Sequence, residues 1–510
     1  MAALRAGAMV EAERHLRRLL RQYPDHAETL HCLGIALHGQ GEHVQALGFL
    51  DRALRANPLD SRAENNRATV LTALNRTTEA LASLDRALCL QPHDPELHYN
   101  RGNTLLALNR AEEALAAFNR ALELNPKLQQ ARQNRGIALT RLGRSVEALA
   151  DFDRLLADPA PGVAVPELRA NRAGTLDQLN RRADALADCD VALAQDPNFA
   201  LAHWNAAIVC LGMGDFARGW REWEWRWKTP DFARDRKRWP QEPWLGQAPL
   251  AGRRILLHSD QGLGDMIQFC RYVPRVKALG AETILECPPP LLELMRTLDG
   301  VDHLITVGED PGDVTFQTPL MSLPLAFGTE LATIPAATPY LAADPARVAA
   351  WAARLGPSTR PRIGLAWSGN PMLKTDAQRS APLASLANLI LADVSYISVQ
   401  KDVRERDRAA LSQLGIADYG ADITDFADSA ALISLLDVVI CVDTGPAHLA
   451  GAIGKPVWLL LHNPAEWRWL MDREDSPWYP TARLFRQVMP GDWPELALRV
   501  RHEQQRFFGS

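Results

Sequence analysis

Apolar positions in the first half of the chain recur with a long, regular step. Alanine stands at Ala12, Ala46, Ala80, Ala114, Ala148 and Ala185. A larger side chain follows each by four residues, at Leu16, Leu50, Leu84, Phe118, Phe152 and Cys189. Pro24, Pro58, Pro92 and Pro126 keep the same step of 34 residues. Pro197 comes 71 residues later, two steps plus three, and the extra residues fall at Pro159-Ala160-Pro161-Gly162, a loop-forming run. A four-residue offset puts both members of a pair on one helix face. The pattern predicts paired helices A and B, with alanine allowing close approach and the larger residue filling the space behind it. Proline, which cannot continue a helix, closes each repeat. The array opens on a lone second helix over about 1–24, and repeats start near His26, Asp60, Asp94, Leu128, Pro166 and Phe199.

The pattern changes after Gly214. Trp223, Trp225, Trp227, Trp239 and Trp244 crowd a segment broken by prolines 230, 240, 243 and 249. Amphipathic rings at such a boundary are expected to glue the last repeat to the next domain; sugar stacking is the alternative. From Gly252 short apolar runs alternate with helical stretches. Strands are expected at Arg254–His258, Thr283–Cys287, Val301–Val307, Ile363–Trp367, Tyr396–Val399, Asp437–Val442 and Lys455–Leu461. Helices are expected to run through Leu279, at Leu291–Leu298 and Leu383–Leu391, through Leu414, and over 493–508. Strand–helix alternation that restarts at Arg362 predicts two doubly wound units with a cleft between them.

Composition narrows the picture. A formal net charge of -5 gives no global attraction to nucleic acid or an anionic membrane surface. Seven cysteines, odd in number and scattered, fit a reducing compartment better than a disulfide framework or a zinc site. Charged residues interrupt the first 20 positions, and no stretch has the length of a membrane span, so a cytoplasmic location is expected.

The 34-residue columns resemble the tetratricopeptide repeat. The second half, about 250–508, resembles the GT-B glycosyltransferases of the heptosyltransferase-like family. The motifs that carry this are Gln261–Asp265, Trp367-Ser368-Gly369, Val442–Gly451, Trp467-Arg468-Trp469 and Ser476–Pro480. The expected fold class is thus α plus α/β, an N-terminal α-solenoid followed by two Rossmann-like units. The expected divisions are 1–228 for the solenoid, 229–252 for the junction, 253–345 for an acceptor-side unit, 346–490 for a donor-side unit, and 491–510 for a helix returning to the first unit. The resemblance implies a metal-independent inverting transferase whose co-substrate is a nucleotide-diphospho-sugar. It implies no cofactor beyond that.

Candidate chemistry lies at the strand ends. Asp443 to Gly451 follows an apolar strand and opens a helix, a place where backbone N–H groups and the helix dipole attract a diphosphate. Asp443, Thr444, Gly445 and His448 are the donor-binding candidates there; a capped helix with a surface histidine is the alternative. Ser368, Gly369, Lys374, Arg379, Gln400 and Lys401 come after two other strands and are further donor-side candidates, Gln400 and Lys401 foremost. Asp265 matches the aspartate that the resemblance makes a general base, and equally suits an N-terminal helix cap. Asp260 is a second candidate base. Asn66, Asn100, Asn134, Asn171 and Asn205 form a column that either lines a groove for an acceptor peptide or ties neighbouring repeats together. A protein acceptor held by the repeats is one expectation; a saccharide or lipid-linked acceptor, and an inactive scaffold, are the others.

Overall fold

The computed structural model describes residues 8–159, 164–230, 232, 239–373 and 376–509. They fall into two compact units divided between Thr175 and Leu176.

The first unit is an array of helix pairs, among them Ala27–Gly39 with His43–Ala56, Ser61–Ala73 with Thr77–Leu90, Pro95–Ala107 with Ala111–Leu124 and Gln129–Arg141 with Ser145–Ala157. The alanine column is fully buried, as are Leu50, Phe118 and Phe152. These larger residues press on a small residue of helix A. A Cβ on Gly34 would lie 2.6 Å from Leu50 Cγ, and one on Gly102 or Gly136 would lie 2.5 or 2.7 Å from the ring of Phe118 or Phe152. Asp60 and Asp94 cap their helices by accepting from backbone N–H groups two and three residues on. A further column emerges only in the structure. Gly41, Asn75, Asn109, Gly143 and Asn180 all take positive φ at the turn between helices A and B. Glycine and asparagine tolerate that left-handed conformation.

In the second unit, helices Arg182–Gln195, Ala200–Met213 and Phe216–Trp223 precede two parallel sheets. The repeat periodicity therefore continues past the packing division, and the last repeat belongs with the sheets. Strands β1 (Arg254–His258), β2 (Glu282–Cys287), β3 (His303–Thr306) and β4 (Phe316–Pro319) form the order β3-β2-β1-β4. Strands β5 (Arg362–Ala366), β6 (Ser395–Ser398), β7 (Ala417–Asp418), β8 (Val438–Val442), β9 (Val457–Leu461) and β10 (Ala482–Arg486) form the order β10-β9-β8-β5-β6-β7. Strands β8 and β9 are buried throughout, as parallel strands covered on both faces are.

Trp220 and Trp223 meet Trp467 edge-on at 5.4 and 5.6 Å between ring centroids, inside a core shared by both sheets. Trp244 packs on Phe327, whereas Trp225 stacks on His203 at 3.6 Å. Three expectations need correction. The stretch through Leu279 is broken into Leu263–Phe269, a 3-10 turn and Val273–Ala278, and Leu383–Leu389 is a 3-10 helix. Strands β4, β7 and β10 add to the strands that the apolar runs predict. The final helix, Trp493–Phe508, does not return to the first sheet. Its apolar face, Trp493, Leu496, Ala497 and Val500, joins the core on the outer face of the second sheet with Ile363, Tyr396, Trp458 and Phe485. It comes directly after the edge strand β10, so the short connection delivers it there.

Candidate functional site

Two strand-end turns meet in the second unit. After β1, residues 259–262 lead into the Leu263–Phe269 helix; after β8, Asp443 and Thr444 lead into the Gly445–Ala452 helix. The two helices pack on each other. Contact is close enough that a Cβ on Gly264 would lie 2.9 Å from His448 Cδ2 and 3.7 Å from Gly445 Cα. Glycine at 264 is what permits this approach.

On the β1 side both candidate carboxylates are paired with arginines. The Asp260 side chain is 1% exposed, and its Oδ2 accepts from Arg226 Nε at 2.9 Å. Arg226 also donates to Glu224 Oε1 and Ser322 Oγ, both at 2.8 Å. Burial pushes the Asp260 carboxyl up, against the pull of Arg226. Asp260 is thus buried and anchored by Arg226 in this structure. Asp265, with its side chain 20% exposed, accepts from the Gly262 N–H at 2.9 Å through Oδ2 and pairs with Arg468 through Oδ1. Arg468 also pairs with Glu466 and donates to Gln268 Oε1 at 2.8 Å. Burial raises the Glu466 carboxyl to about 6, Arg468 opposing it.

On the β8 side Asp443 and His448 are buried, with His448 Nε2 3.6 Å from Asp443 Oδ1. Burial alone would raise the Asp443 carboxyl. His448, Arg379 and Arg468 overcome it and hold the group below the ordinary carboxylate range. His448 Nδ1 lies 3.0 Å from the Tyr479 hydroxyl, and its ring stacks on Trp469 at 5.7 Å. Thr444 has extended backbone, and its side chain does not cap the helix. Pro446 lacks an N–H and the Ala447 N–H returns to Thr444 O at 2.9 Å, so attraction for an anion rests on the turn and nearby side chains more than on a ring of free N–H groups.

Of the remaining donor-side candidates, Ser368, Gly369, Arg379 and Gln400 gather around the end of β5. Gln400 braces that turn: its Oε1 accepts from Trp367 N and Ser368 N at 3.3 and 3.0 Å, and its Nε2 donates to Ser368 Oγ and Asp402 O at 2.7 and 2.8 Å. All of its amide hydrogen-bonding groups are engaged within the fold in this structure. The Gly369 N–H donates to Ser380 Oγ at 2.9 Å, and a Cβ on Gly369 would lie 2.7 Å from Arg379 Nη2. Arg379 Nε is buried and has no hydrogen-bond partner among the described residues. The charge of Arg379 acts on both Asp443 and the half-buried His462. Lys401 is exposed and donates to Thr424 O at 3.1 Å. Lys374 lies outside the described residues.

In the asparagine column, Asn66 Nδ2 lies 2.7 Å from His31 Nε2, and Asn100 and Asn134 donate to Asn65 and Asn103 at 2.9 and 2.7 Å. These amides tie each repeat to the one before. Asn171 Nδ2 is buried without a partner among the described residues, and Asn205 keeps interactions of its own. Arg226, Arg468, Glu466 and Tyr479 join the site without being among the candidate site residues, although Arg468 and Tyr479 stand in motifs that carry the resemblance. An arginine between two tryptophans in a run of buried residues was the available signal for Arg468.

A family model for glycosyltransferase family 9 (heptosyltransferase) matches residues 421–478, which carry the β8 turn. Tetratricopeptide-repeat models match residues 3–68, 65–129 and 99–164. Protein FlbA of Caulobacter vibrioides is 29% identical over 341 residues, covering 59% of this chain and 54% of the relative. The chain spans about half the length of that relative. A tetratricopeptide repeat protein from Parabacteroides merdae is 24% identical over 44% of this chain and 87% of its own, with a TM-score of 0.38. YrrB, described as a TPR protein with an unusual peptide-binding site, is 26% identical over 37% of this chain and 95% of its own, with a TM-score of 0.32. No helix among the described residues is long and apolar enough to cross a membrane. The chain therefore joins an N-terminal array of tetratricopeptide repeats to a parallel-sheet α/β region, part of which is similar to glycosyltransferase family 9.

Proposed function

We propose that this chain is an inverting, metal-independent glycosyltransferase with the two sheets as the lobes of a GT-B fold. It moves a sugar from a nucleotide-diphospho-sugar to an acceptor hydroxyl, on a protein engaged by the repeats. The observation that carries this reading is the meeting of the β8 turn with the Gly-rich β1 turn, Gly264 against His448. The diphosphate sits at the start of the Gly445–Ala452 helix, where Thr444, Gly445, His448 and Arg379 supply donors and positive charge in the region of Ser368 and Gly369. Asp265 is the carboxylate on the β1 side that solvent reaches, and it takes the acceptor proton once Arg468 turns from it to Glu466 or to the leaving diphosphate. The repeats supply protein contact through the face bearing the asparagine column, whose donors already join repeat to repeat.

One observation favours a second reading, an inactive repeat scaffold: both oxygens of Asp265 are occupied in this structure, one by Arg468 and one by Gly262. Thermal stabilisation by a panel of nucleoside diphosphates in the presence of a chelator separates the two readings. A rise in midpoint with one base, abolished by His448→Ala, supports the transferase. A folded sample that responds to no base sinks it.

A further inference from the structure

His448 is boxed in on four sides. Trp469 covers its face, Gly264 touches Cδ2, Tyr479 meets Nδ1 and Asp443 faces Nε2. Two glycines keep this box intact. Gly264 has no side chain to displace the imidazole edge. Gly451, one turn after His448, would put a Cβ 2.3 Å from Tyr479 Cδ1. Glycine inside a helix is destabilising by about 0.5–1 kcal/mol relative to alanine, so its place here answers a packing demand. Any larger residue would push out the Tyr479 ring, which is fully buried.

A neutral imidazole carries one N–H, and its two nitrogens face unlike partners here. Asp443 is ionised and only accepts. At 3.6 Å the contact is too long for a good hydrogen bond, yet the carboxylate still draws the imidazole proton to Nε2. Nδ1 is then bare and needs a donor. The Tyr479 hydroxyl supplies one at 3.0 Å, and burial holds that phenol protonated, raising it to about 12. Trp469, Glu466 and Arg468 belong to one short segment, which carries both the wall of the box and the partner of Asp265.

From this geometry we propose that Tyr479 is a positioning residue, which holds His448 as its Nε2–H tautomer so that the ring donates toward the Asp443–Gly445 turn and cannot act there as a base. The inference rests on the donor-site reading above for its purpose: a fixed N–H aimed at the turn is suited to a phosphoryl oxygen. Its geometry stands apart from that reading, and the two are tested separately.

The test uses the full chain labelled with 15N-histidine. Two-bond proton–nitrogen spectra distinguish a bare from a protonated ring nitrogen, and the His448 resonance among 13 histidines is assigned by its loss in His448→Gln. Near neutral pH without ligand, a protonated Nε2 and a bare Nδ1 are expected. In Tyr479→Phe, which keeps the ring beside Gly451, the Nδ1 signal is expected to move, and affinity for inorganic pyrophosphate to fall about fivefold. A protonated Nδ1 in the unmodified protein overturns the inference, whether or not Tyr479→Phe folds. So does a His448 signature that Tyr479→Phe leaves unchanged. The expected tautomer in a protein that binds neither pyrophosphate nor any nucleoside diphosphate upholds Tyr479 and sinks the donor-site reading.

Discussion

The β1 and β8 turns share a plan and differ in how their carboxylates are held. Each comes after an apolar parallel strand, and each opens a short helix that packs on the other. On the β1 side, arginines from distant segments neutralise the acids: Arg226, 34 positions before Asp260, and Arg468, 203 positions beyond Asp265. On the β8 side Asp443 faces an imidazole, and no arginine among the described residues binds it directly. The first turn is locked by ion pairs from outside its own strand–helix unit; the second holds its acid against a histidine of its own helix. Strand-end position alone therefore does not say how a turn holds its acid. The distant partners decide.

The largest test of this contrast breaks the lock. Arg226→Ala leaves Asp260 buried without its counter-charge, and removing one partner of a buried pair costs about 3–5 kcal/mol. Chemical denaturation is expected to show that loss, while Asp443→Asn, on the β8 side, is expected to cost less. Equal losses would erase the distinction. Next comes the contact between the turns. Gly264→Ala forces a methyl to within 2.9 Å of His448 Cδ2, with an expected cost of about 1–3 kcal/mol and loss of stabilisation by nucleoside diphosphates. Full nucleotide response in a stable Gly264→Ala protein would mean that the turns do not form one site.

The smallest effect is titratable. Glu466 has a carboxyl raised to about 6 in the fold from an ordinary 4.5. The folded state then binds more protons than the unfolded chain between those values, so stability falls as pH rises from 4.5 through 6. Glu466→Gln removes that slope. Its stability relative to the unmodified protein is expected to improve across this window by at most about 2 kcal/mol, and by less because the side chain is 31% exposed. A flat difference would show that Arg468 fully compensates the burial of Glu466.

The helical array and the parallel strands were legible because their signals are local. An alanine every 34 residues or a run such as Val438–Val442 states its own surroundings. Strand β4, Phe-Gln-Thr-Pro, carries no apolar run and owes its place to pairing with β1. The turn column at Gly41 and Asn75 is silent in the sequence because it marks backbone conformation, which neither hydropathy nor helix faces report. Around the site, Asp265, Asp443 and His448 were visible as strand-end residues. Arg226 was not, and Arg468 and Tyr479 stood in motifs of the resemblance without a role, since the roles of all three depend on partners 31 or more positions away. Gln400 was visible as a strand-end polar residue, but that its amide braces the neighbouring turn was not.

The left-handed turns of the array have an evolutionary consequence. Gly41, Asn75, Asn109 and Gly143 stand 34 residues apart, and each begins the same reversal of direction. Recombination between any two of these sites joins a helix to a matching turn and leaves no half-made bend. Copies can be added or lost as whole modules, so the length of the array can drift between lineages without disturbing the turns after β1 and β8.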